Sequence, residues 1–409
     1  MFDVSDDLIS LSTNKAYGRA AGTWQIMLTY KTVTDAAGKQ GRYNELITPD
    51  DTITIELDAG DGNGMKAVML GLVDRVSVVR MGGNNPQRQV KISGQDMGKL
   101  LVKHDIGWDI AGFNLKTAES GDSTNESQDR QLNRQFDATL TTGTPPSLIS
   151  KLFKQTFTDV LPIWAPKFLL DITSKDGWML WNPPILTLQG CSIWAALTHC
   201  MHEPFNVLTT ETRDTKTFVV TLEEQPITDE GQLKRDDNRK HTIFDADIIS
   251  DDVGICDAER INLLFYKPEF YLSAAGMTVA VAMAHPDLVR YHEDSIKNHG
   301  YCPKTIQDQF VPPEVVVDGP PTTASWMQTA KTAVAKLWSW FQFNHTYWSG
   351  MFQLHLRPDI KAGDGLIQDI GAGKKKEYLI EQVAHQYVVW PQPIFVTTLH
   401  VTRGQDYVG

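Results

Sequence analysis

Two stretches of this sequence decide its fold: Val90-Lys91-Ile92-Ser93-Gly94-Gln95-Asp96 near the start, and Leu399-His400-Val401-Thr402-Arg403-Gly404-Gln405-Asp406 at the end. Apolar and polar residues alternate before the same Gly-Gln-Asp triplet, which is the pattern of a half-buried β-strand. Two earlier pieces match in the same order: Leu72-Val73-Asp74-Arg75-Val76 with Leu379-Ile380-Glu381-Gln382-Val383, and Pro49-Asp50 with Pro358-Asp359.

The spacing of these matches predicts an internal duplication. The separation from the proline to the glycine of the triplet is 45 residues in the first set and 46 in the second. We therefore predict one β module at each end of the chain, with a mixed domain inserted between their sequences. The alternative is that three short matches agree by chance.

The first of these modules shows period-two alternation with turn residues between the runs, as half-buried antiparallel strands do. The pattern predicts strands over 23–30, 52–57, 68–80 and 89–93. The connecting stretches 58–64 and 81–86 are rich in Gly, Asn and Asp, which tolerate the positive φ of tight turns. Together these strands indicate a β-barrel or a sandwich.

The predicted fold class is mainly β with α+β insertions: two similar antiparallel β-barrel modules and a mixed α/β middle domain. The predicted division is an N-terminal barrel module (1–105), a middle domain with flexible loops (106–245), strands that partly complete the second barrel (246–310), a Pro-rich linker with an amphipathic helix (311–345), and a C-terminal barrel module (346–409). The polar stretch 118–144 is predicted to be a long surface loop, and the charged stretch 229–240 a second one.

Helices are predicted where apolar residues recur at spacings of three and four. One run begins after Pro145-Pro146-Ser147 and extends to Phe157, and a second covers 192–202. A third carries its apolar face on Trp326, Ala330, Ala333, Val334, Leu337 and Phe341, with Thr322 or Thr323 as the cap. Strands are predicted over 217–222, 258–265 and 276–283.

Composition excludes several classes of protein. At 409 residues, two or three domains are expected, because single cores rarely exceed roughly 250 residues. The net charge of −12 does not favour a protein that binds nucleic acid, because such proteins bind the phosphates through broad basic faces.

The sequence also predicts that the chain does not enter a membrane. The longest weakly polar run, 274–284, is shorter than the about 20 residues of a membrane span, so no stable membrane association is expected. Cys191, Cys200, Cys256 and Cys302 have spacings typical of reduced thiols, and the acidic start predicts no export signal.

The best metal candidate is the cluster His199, His202 and Glu203, because His-x-x-His at helical spacing can place two imidazoles on one face. A structural zinc needs four ligands and a catalytic one at least three, and no second cluster of matching spacing is present in the sequence. Histidines at the end of a helix are the stronger interpretation, so no metal site is predicted.

The remaining motifs indicate turns and surface charge. The run 60–64 is predicted to be a hairpin turn, and 371–376 a solvated hairpin tip, because the glycine and the Ser or Thr of a phosphate loop are missing there. The carboxylate pairs Glu223-Glu224 and Asp251-Asp252 are predicted to be surface charge. No Gly-x-Ser-x-Gly elbow or Cys/His protease context is present. No catalytic residue and no cofactor are predicted.

Taken together, the chain resembles the baseplate hub proteins of contractile-tailed bacteriophages and related contractile injection systems, the tail hub or late control protein D-like family. The resemblance rests on the N-terminal module (68–96), on 192–197 running into 206–208 and 218–220, and on the ending 378–385 with 395–404. These segments extend over most of the chain.

The resemblance implies a homotrimeric, non-enzymatic virion protein, assembled in the host cytoplasm, whose six barrels form a ring. Such a ring adapts a hexameric tail tube to a trimeric central spike and forms part of a channel through which DNA passes without specific binding. The tape measure protein and baseplate wedge proteins are further expected partners. Two alternatives stay open: the hub of an injection or secretion particle that carries no DNA, and a tail-associated metallohydrolase.

Overall fold

The structure is a computed structural model of the 409-residue chain. It describes residues 3–60, 62, 64–80, 88–104, 149–150, 153–154, 157, 161–173, 192–199, 201, 204–272, 277–280, 286–308, 324–389 and 392–407.

The N-terminal part is built of strands whose burial alternates along the chain. Its strands are β1 (Leu8–Ala16), β2 (Thr23–Thr29), β3 (Thr32–Thr34), β4 (Gln40–Arg42), β5 (Thr52–Leu57), β6 (Lys66–Arg80) and β7 (Arg88–Asp96). Two short helices are α1 (Tyr43–Leu46) and α2 (Lys99–Lys103). In β2, Trp24, Ile26 and Leu28 are buried while the residues between them are partly exposed, as the sequence pattern predicts.

The middle part mixes strands and helices. It contains β8 (Phe168–Ile172), α3 (Ile193–His199), β9 (Asn206–Thr212), β10 (Phe218–Glu224), β11 (Lys240–Phe244), β12 (Ile248–Ile255), β13 (Leu263–Leu272), β14 (Met277–Ala280), β15 (Val289–Tyr291), α4 (Glu293–His299) and β16 (Pro303–Asp308). Short 3-10 helices are Ser5–Asp7, Ala165–Lys167, Asp237–Arg239, Asp245–Asp247, Asp257–Glu259, Pro286–Leu288 and Asn344–Thr346.

The C-terminal part begins with the long helix α5 (Ala324–Phe341) and continues with β17 (Trp348–His355), β18 (Gly365–Gly371), β19 (Lys374–Val388) and β20 (Ile394–Asp406). Helix α5 forms because its apolar residues recur at helical spacing, and Ala330, Ala333, Val334 and Leu337 are all buried. This confirms the predicted amphipathic helix.

Among the described residues, eleven strands join into one sheet, nine from the two ends of the chain together with β11 and β12 of the middle part. Its main path runs β12-β17-β20-β19-β1-β2-β7-β6-β5, and β18 pairs with both β19 and β11. Separate sheets have the orders β8-β10-β9, β14-β13-β15 with β16 beside β13, and β3-β4.

The fold class is confirmed as mainly β with antiparallel sheets and helical insertions. The prediction that the two modules are barrels is wrong, because the sheets formed by the described residues are not closed into barrels. A barrel closes when its two edge strands pair with each other. Here β1, at the edge of the first module, pairs instead with β19 of the second. The modules are therefore joined side by side in a continuous sheet.

Four apolar cores hold these layers together. One fills the first module and includes Trp24, Ile26 and Val90, and another fills the second module and includes Phe352, Tyr378 and Ile380. A third, around Phe218, joins the β8-β10-β9 sheet to β6 and α2, and it contains Ile149, Phe153 and Phe157 from the first predicted helix. The last packs α5 against β13, β15 and β16 through residues that include Leu264, Leu288, Ile306 and Trp340.

Several predictions fall on residues outside those described. They include the loop 118–144, the linker 311–321 and part of the strand predicted over 276–283, of which Met277–Ala280 is a strand. The strand predicted over 258–265 is partly wrong, because Asp257–Glu259 is a 3-10 helix and β13 begins only at Leu263. The domain boundaries stay predictions. Within the described ranges, no helix combines the length and apolar character needed to cross a membrane.

Candidate functional site

The two halves of the large sheet repeat the same strand order. In the first half the order is β1-β2-β7-β6-β5, and in the second it is β12-β17-β20-β19-β18. Every neighbouring pair in both series is antiparallel. The strands also appear in the same sequence order, so β1, β2, β5, β6 and β7 correspond to β12, β17, β18, β19 and β20.

A β-bulge lies at the same place in both halves. Between β6 and β7 the register skips Asp74, because Val73 pairs with Gly94 and Arg75 with Ser93. Between β19 and β20 it skips Glu381, because Ile380 pairs with Val401 and Gln382 with His400. A bulge bends the strand that carries it, and bulges are defined features of a fold rather than irregularities. Shared strand order and a shared bulge show that the predicted repeat is present in the structure.

The shared glycine of the Gly-Gln-Asp triplets has a packing reason. Trp24 lies opposite Gly94, and Trp348 lies opposite Gly404. A Cβ on Gly94 would lie 2.0 Å from the Leu72 carbonyl oxygen and 2.6 Å from the Trp24 ring. A Cβ on Gly404 would lie 2.3 Å from the Tyr378 ring and 2.7 Å from the Cβ of Trp348. Glycine is therefore required at both positions because an aromatic ring covers the backbone there, that of Trp24 at Gly94 and that of Tyr378 at Gly404.

The modules meet along β1 and the second half of β19. Seven residue pairs form this junction, from Ser10 opposite Val388 to Ala16 opposite Gln382. At its centre, Thr13 and His385 face each other and are only 4% and 3% exposed. Burial lowers the pKa of His385 to about 4, and its Nδ1 lies 3.0 Å from the Thr397 hydroxyl. The junction is thus a packed interface with a neutral imidazole inside it.

Ion pairs fix the middle sheet to both modules. The Lys15 ammonium contacts Asp96 at 2.6 Å and also donates to Thr210 on β9. The backbone N–H groups of Gly22 and Gly98 donate to the same Asp96 carboxylate. Lys15, held by the buried Asp96 carboxylate, therefore joins the first module to the β8-β10-β9 sheet through its hydrogen bond to Thr210.

A second ionic network joins β10 to the second module. Glu223 accepts two hydrogen bonds from Arg235, at 3.0 and 3.1 Å, and one from Arg239 at 2.9 Å. Arg239 Nε also donates to Asp364 at 2.9 Å, and the Tyr17 hydroxyl donates to Glu223 at 2.7 Å. The Glu223 side chain is 9% exposed, so the prediction that Glu223-Glu224 is surface charge is wrong for Glu223. The arginines that neutralise this carboxylate come from the charged stretch 229–240.

His241 extends this network to the Pro-Asp pair of the second repeat. Its Nε2 lies 3.0 Å from Asp364 and its Nδ1 lies 3.4 Å from Asp359. Burial lowers the pKa of His241, but hydrogen bonds and attraction from the two carboxylates outweigh that effect and raise the pKa to about 9. The imidazolium in turn helps to hold the pKa of Asp359 well below its usual range. Sequence patterns did not single out His241, because its partners lie more than a hundred residues away.

We expect the stability of the protein to fall between pH 6.5 and 9 because of His241. The folded state holds the proton more tightly than the unfolded chain, so this contribution is complete below pH 6.5 and disappears as the pH rises through 9. The expected loss is about 3 kcal/mol in the free energy of unfolding. Urea titrations at several pH values measure it, and the variant His241→Asn should lack this fall.

His385 serves as the matched control because its pKa is shifted in the opposite direction. The unfolded chain binds the proton more tightly, so the contribution of His385 is complete above pH 6.5 and declines as the pH falls toward 4. The variant His385→Asn should therefore lose the acid-side decline and keep the alkaline one. An alkaline decline that persists undiminished in His241→Asn would contradict the assignment.

The weak metal candidates do not gain support from the described geometry. His199 is the last residue of α3, while His202 and Glu203 lie outside the described residues. Among the residues that are described, no group of three or more His, Cys, Asp or Glu side chains could hold a metal ion. Asp251 and Asp252 are exposed, as predicted for surface charge. Gly371, Ala372 and Gly373 have positive φ at the predicted hairpin tip before β19.

Comparison with known proteins shows a shared fold. No family model matches the sequence, and no curated protein matches it. Among solved structures, the 43 kDa tail protein of prophage MuSo2 from Shewanella oneidensis is similar with a TM-score of 0.50 at 14% identity, covering 97% of this chain and 94% of that one. This match shows that the two chains have the same fold.

Two further structures give lower scores. The tail protein from Neisseria meningitidis MC58 has a TM-score of 0.48 at 12% identity, covering 97% of this chain and 92% of that one. The E. coli c3393 protein, a type VI secretion component described as structurally similar to the T4 bacteriophage tail proteins gp27 and gp5, has a TM-score of 0.47 at 6% identity, covering 97% and 73%.

Proposed function

We propose that this chain, which has the fold of a phage tail protein, is a non-enzymatic structural hub of a tail baseplate. Three copies form a ring, and each copy contributes two similar sheet modules, so six modules surround a central channel. One observation carries the proposal: a single chain contains the same five-strand module twice, with the same bulge, and joins the two copies edge to edge.

The duplication allows one ring to contact two neighbours of different symmetry. A hexameric tube presents six equal contacts to its neighbour, whereas a trimeric spike presents three. A trimer of two-module subunits meets both, because its six modules approximate sixfold symmetry while its three middle parts follow the true threefold. The proposed partners are the tail tube protein on one face and the central spike on the other, with the tape measure protein and wedge proteins as further contacts in the virion tail.

The charge of the chain suits a conduit for DNA. Its net charge is −12, so the phosphate backbone of passing DNA gains no broad attraction to the protein. The proposed channel therefore lets DNA pass without specific binding. Replacing acidic residues with lysine in the bore should slow ejection, and unchanged ejection would count against this part of the proposal.

Native mass measurement of the purified full chain tests the oligomeric state. We expect three copies of the 45.8 kDa chain in one particle of about 137 kDa. A dilution series should show the trimer dissociating directly to monomers, because the first subunit that leaves a closed ring breaks two of its three contacts between subunits. A monomer at every concentration, or a closed dimer, would contradict the hub.

A further inference from the structure

A small cavity, which we call the junction cavity, lies where the two modules meet the middle sheet. Its volume is about 50 Å³, and its walls come from β1, β6, the end of β7, β9, β19 and the segment between β17 and β18. One buried water needs about 10–15 Å³, so the cavity has room for about three or four waters or for one small ion. We propose that it binds a small inorganic anion of the size of chloride. The inference goes beyond the proposed hub and does not depend on it.

The imidazole of His385 presents an unused hydrogen-bond donor to the junction cavity. The Thr397 hydroxyl accepts a hydrogen bond from the Arg357 backbone N–H at 2.8 Å and lies 3.0 Å from His385 Nδ1, so its own proton points to that nitrogen. The neutral imidazole therefore carries its proton on Nε2. His385 lines the cavity and Thr397 does not, so the Nε2 edge of the ring faces the cavity.

This donor is buried and lacks an acceptor. His385 is 3% exposed, and in the part of the chain that the structure describes, its one side-chain hydrogen bond is that to Thr397. A buried N–H group without an acceptor costs free energy, so native proteins supply one from protein, water or a ligand. The acceptor of Nε2 must therefore occupy the junction cavity.

Two buried hydroxyl groups lie in the same wall. Thr13 pairs directly with His385, so both side chains are on one face of the sheet. Thr13 is 4% exposed, and no described residue shares a hydrogen bond with its hydroxyl. Thr212 is 6% exposed, and its hydroxyl accepts from the Leu70 N–H at 2.9 Å, which leaves its own proton free to donate. Both hydroxyls can donate to an ion in the cavity.

Lys361 contributes a positive charge and a fourth donor. Its ammonium group lies 3.4 Å from the Glu211 carboxylate and 3.3 Å from the Thr212 carbonyl oxygen, so one of its three N–H groups is unused. Glu211 is about one-third exposed, so water at the surface solvates its carboxylate.

The other ion pair in the wall is already satisfied. Asp96 accepts from Lys15 and from the backbone N–H groups of Gly22 and Gly98. Lys15 has no N–H group left, because it also donates to the Thr210 hydroxyl and to a backbone carbonyl. The groups left without partners are thus donors. A halide ion only accepts hydrogen bonds and matches them, whereas each water brings two donors of its own.

Charge balance links the anion to a proton on His385. The charged groups around this imidazole are Lys15 on β1, Asp96 at the end of β7, Glu211 on β9, and Arg357, Asp359 and Lys361 between β17 and β18. Their positive and negative charges are equal in number, so a bound anion is neutralised only when His385 is protonated. Burial lowers the pKa of His385 to about 4, which attraction from Asp359 opposes only in part, and a bound anion raises it again. The proton and the anion therefore strengthen each other's binding.

Urea unfolding of the full chain tests the site. Chloride is exchanged for gluconate, an anion too large for the junction cavity, at constant ionic strength. Measurements are made at about pH 5, which lies between the pKa of His385 in the folded protein and that in the unfolded chain, and at about pH 8. Above the dissociation constant, a tenfold increase in chloride should raise the folding equilibrium constant about tenfold. The effect should be larger at the lower pH.

Two variants remove donors from the cavity wall. Thr13→Val replaces the hydroxyl with a methyl group of similar size, and Lys361→Met removes the ammonium group. Both should lose the chloride dependence at about pH 5, and having two variants keeps the test valid if one folds poorly. Lys374→Met is the matched control, because Lys374 is exposed at the start of β19 and outside the cavity wall, and it should keep the dependence.

Two results would overturn the proposal. Equal stability in chloride and gluconate at both pH values would mean that waters alone fill the cavity. A chloride effect of equal size in Thr13→Val, Lys361→Met and Lys374→Met would mean that the ion binds elsewhere. Either result leaves the proposed hub standing, because its test is the mass of the particle.

Discussion

Replacing Glu223 with alanine is expected to cost about 3–5 kcal/mol in the free energy of unfolding. The carboxylate neutralises Arg235 and Arg239, and the Arg235 side chain is only 6% exposed. Removing it leaves a buried guanidinium with neither its bidentate partner nor water. Because Arg239 also binds Asp364, the contact between the middle sheet and the second module weakens at the same time.

Glu211→Ala on the neighbouring strand β9 provides the comparison. Its carboxylate lies 3.4 Å from Lys361, and both side chains are about one-third exposed. Exposed pairs of this kind contribute less than about 1 kcal/mol. Chemical denaturation of both variants should show a clearly larger loss for Glu223→Ala, and equal losses would show that the buried network contributes little.

The repeat could be predicted from the sequence because packing restricts which residues fit at particular positions of each strand. Gly94 and Gly404 are required where the rings of Trp24 and Tyr378 cover the backbone, and the acidic bulge residues Asp74 and Glu381 each follow a pair of aliphatic residues. Such constraints act within one strand or between neighbouring strands, so they remain visible as short motifs.

The same motif does not guarantee the same surroundings. Asp96 ends the first triplet and is buried against Lys15, whereas Asp406 ends the second triplet and is exposed. The difference arises because the middle sheet packs against the first module at Asp96. Only the glycine of the triplet has an equivalent role in both modules.

Contacts between distant segments were not predictable from the residues alone. The β1–β19 junction joins segments more than 360 residues apart, and no local pattern shows that β1 pairs there instead of closing a barrel. The adjacent carboxylates Glu223-Glu224 predict surface charge because Arg235 and Arg239, which neutralise Glu223, come from a different segment. A carboxylate directly after the mostly apolar residues of β10, with two arginines downstream, is the signal that could have indicated a buried ion pair.

End-on electron microscopy of the purified particle tests the central claim most directly. The account predicts a hollow ring with six lobes of nearly equal size in projection, in which alternate lobes are equivalent under threefold symmetry. A ring of three lobes, a projection without a central channel, or a particle with only twofold symmetry would contradict it.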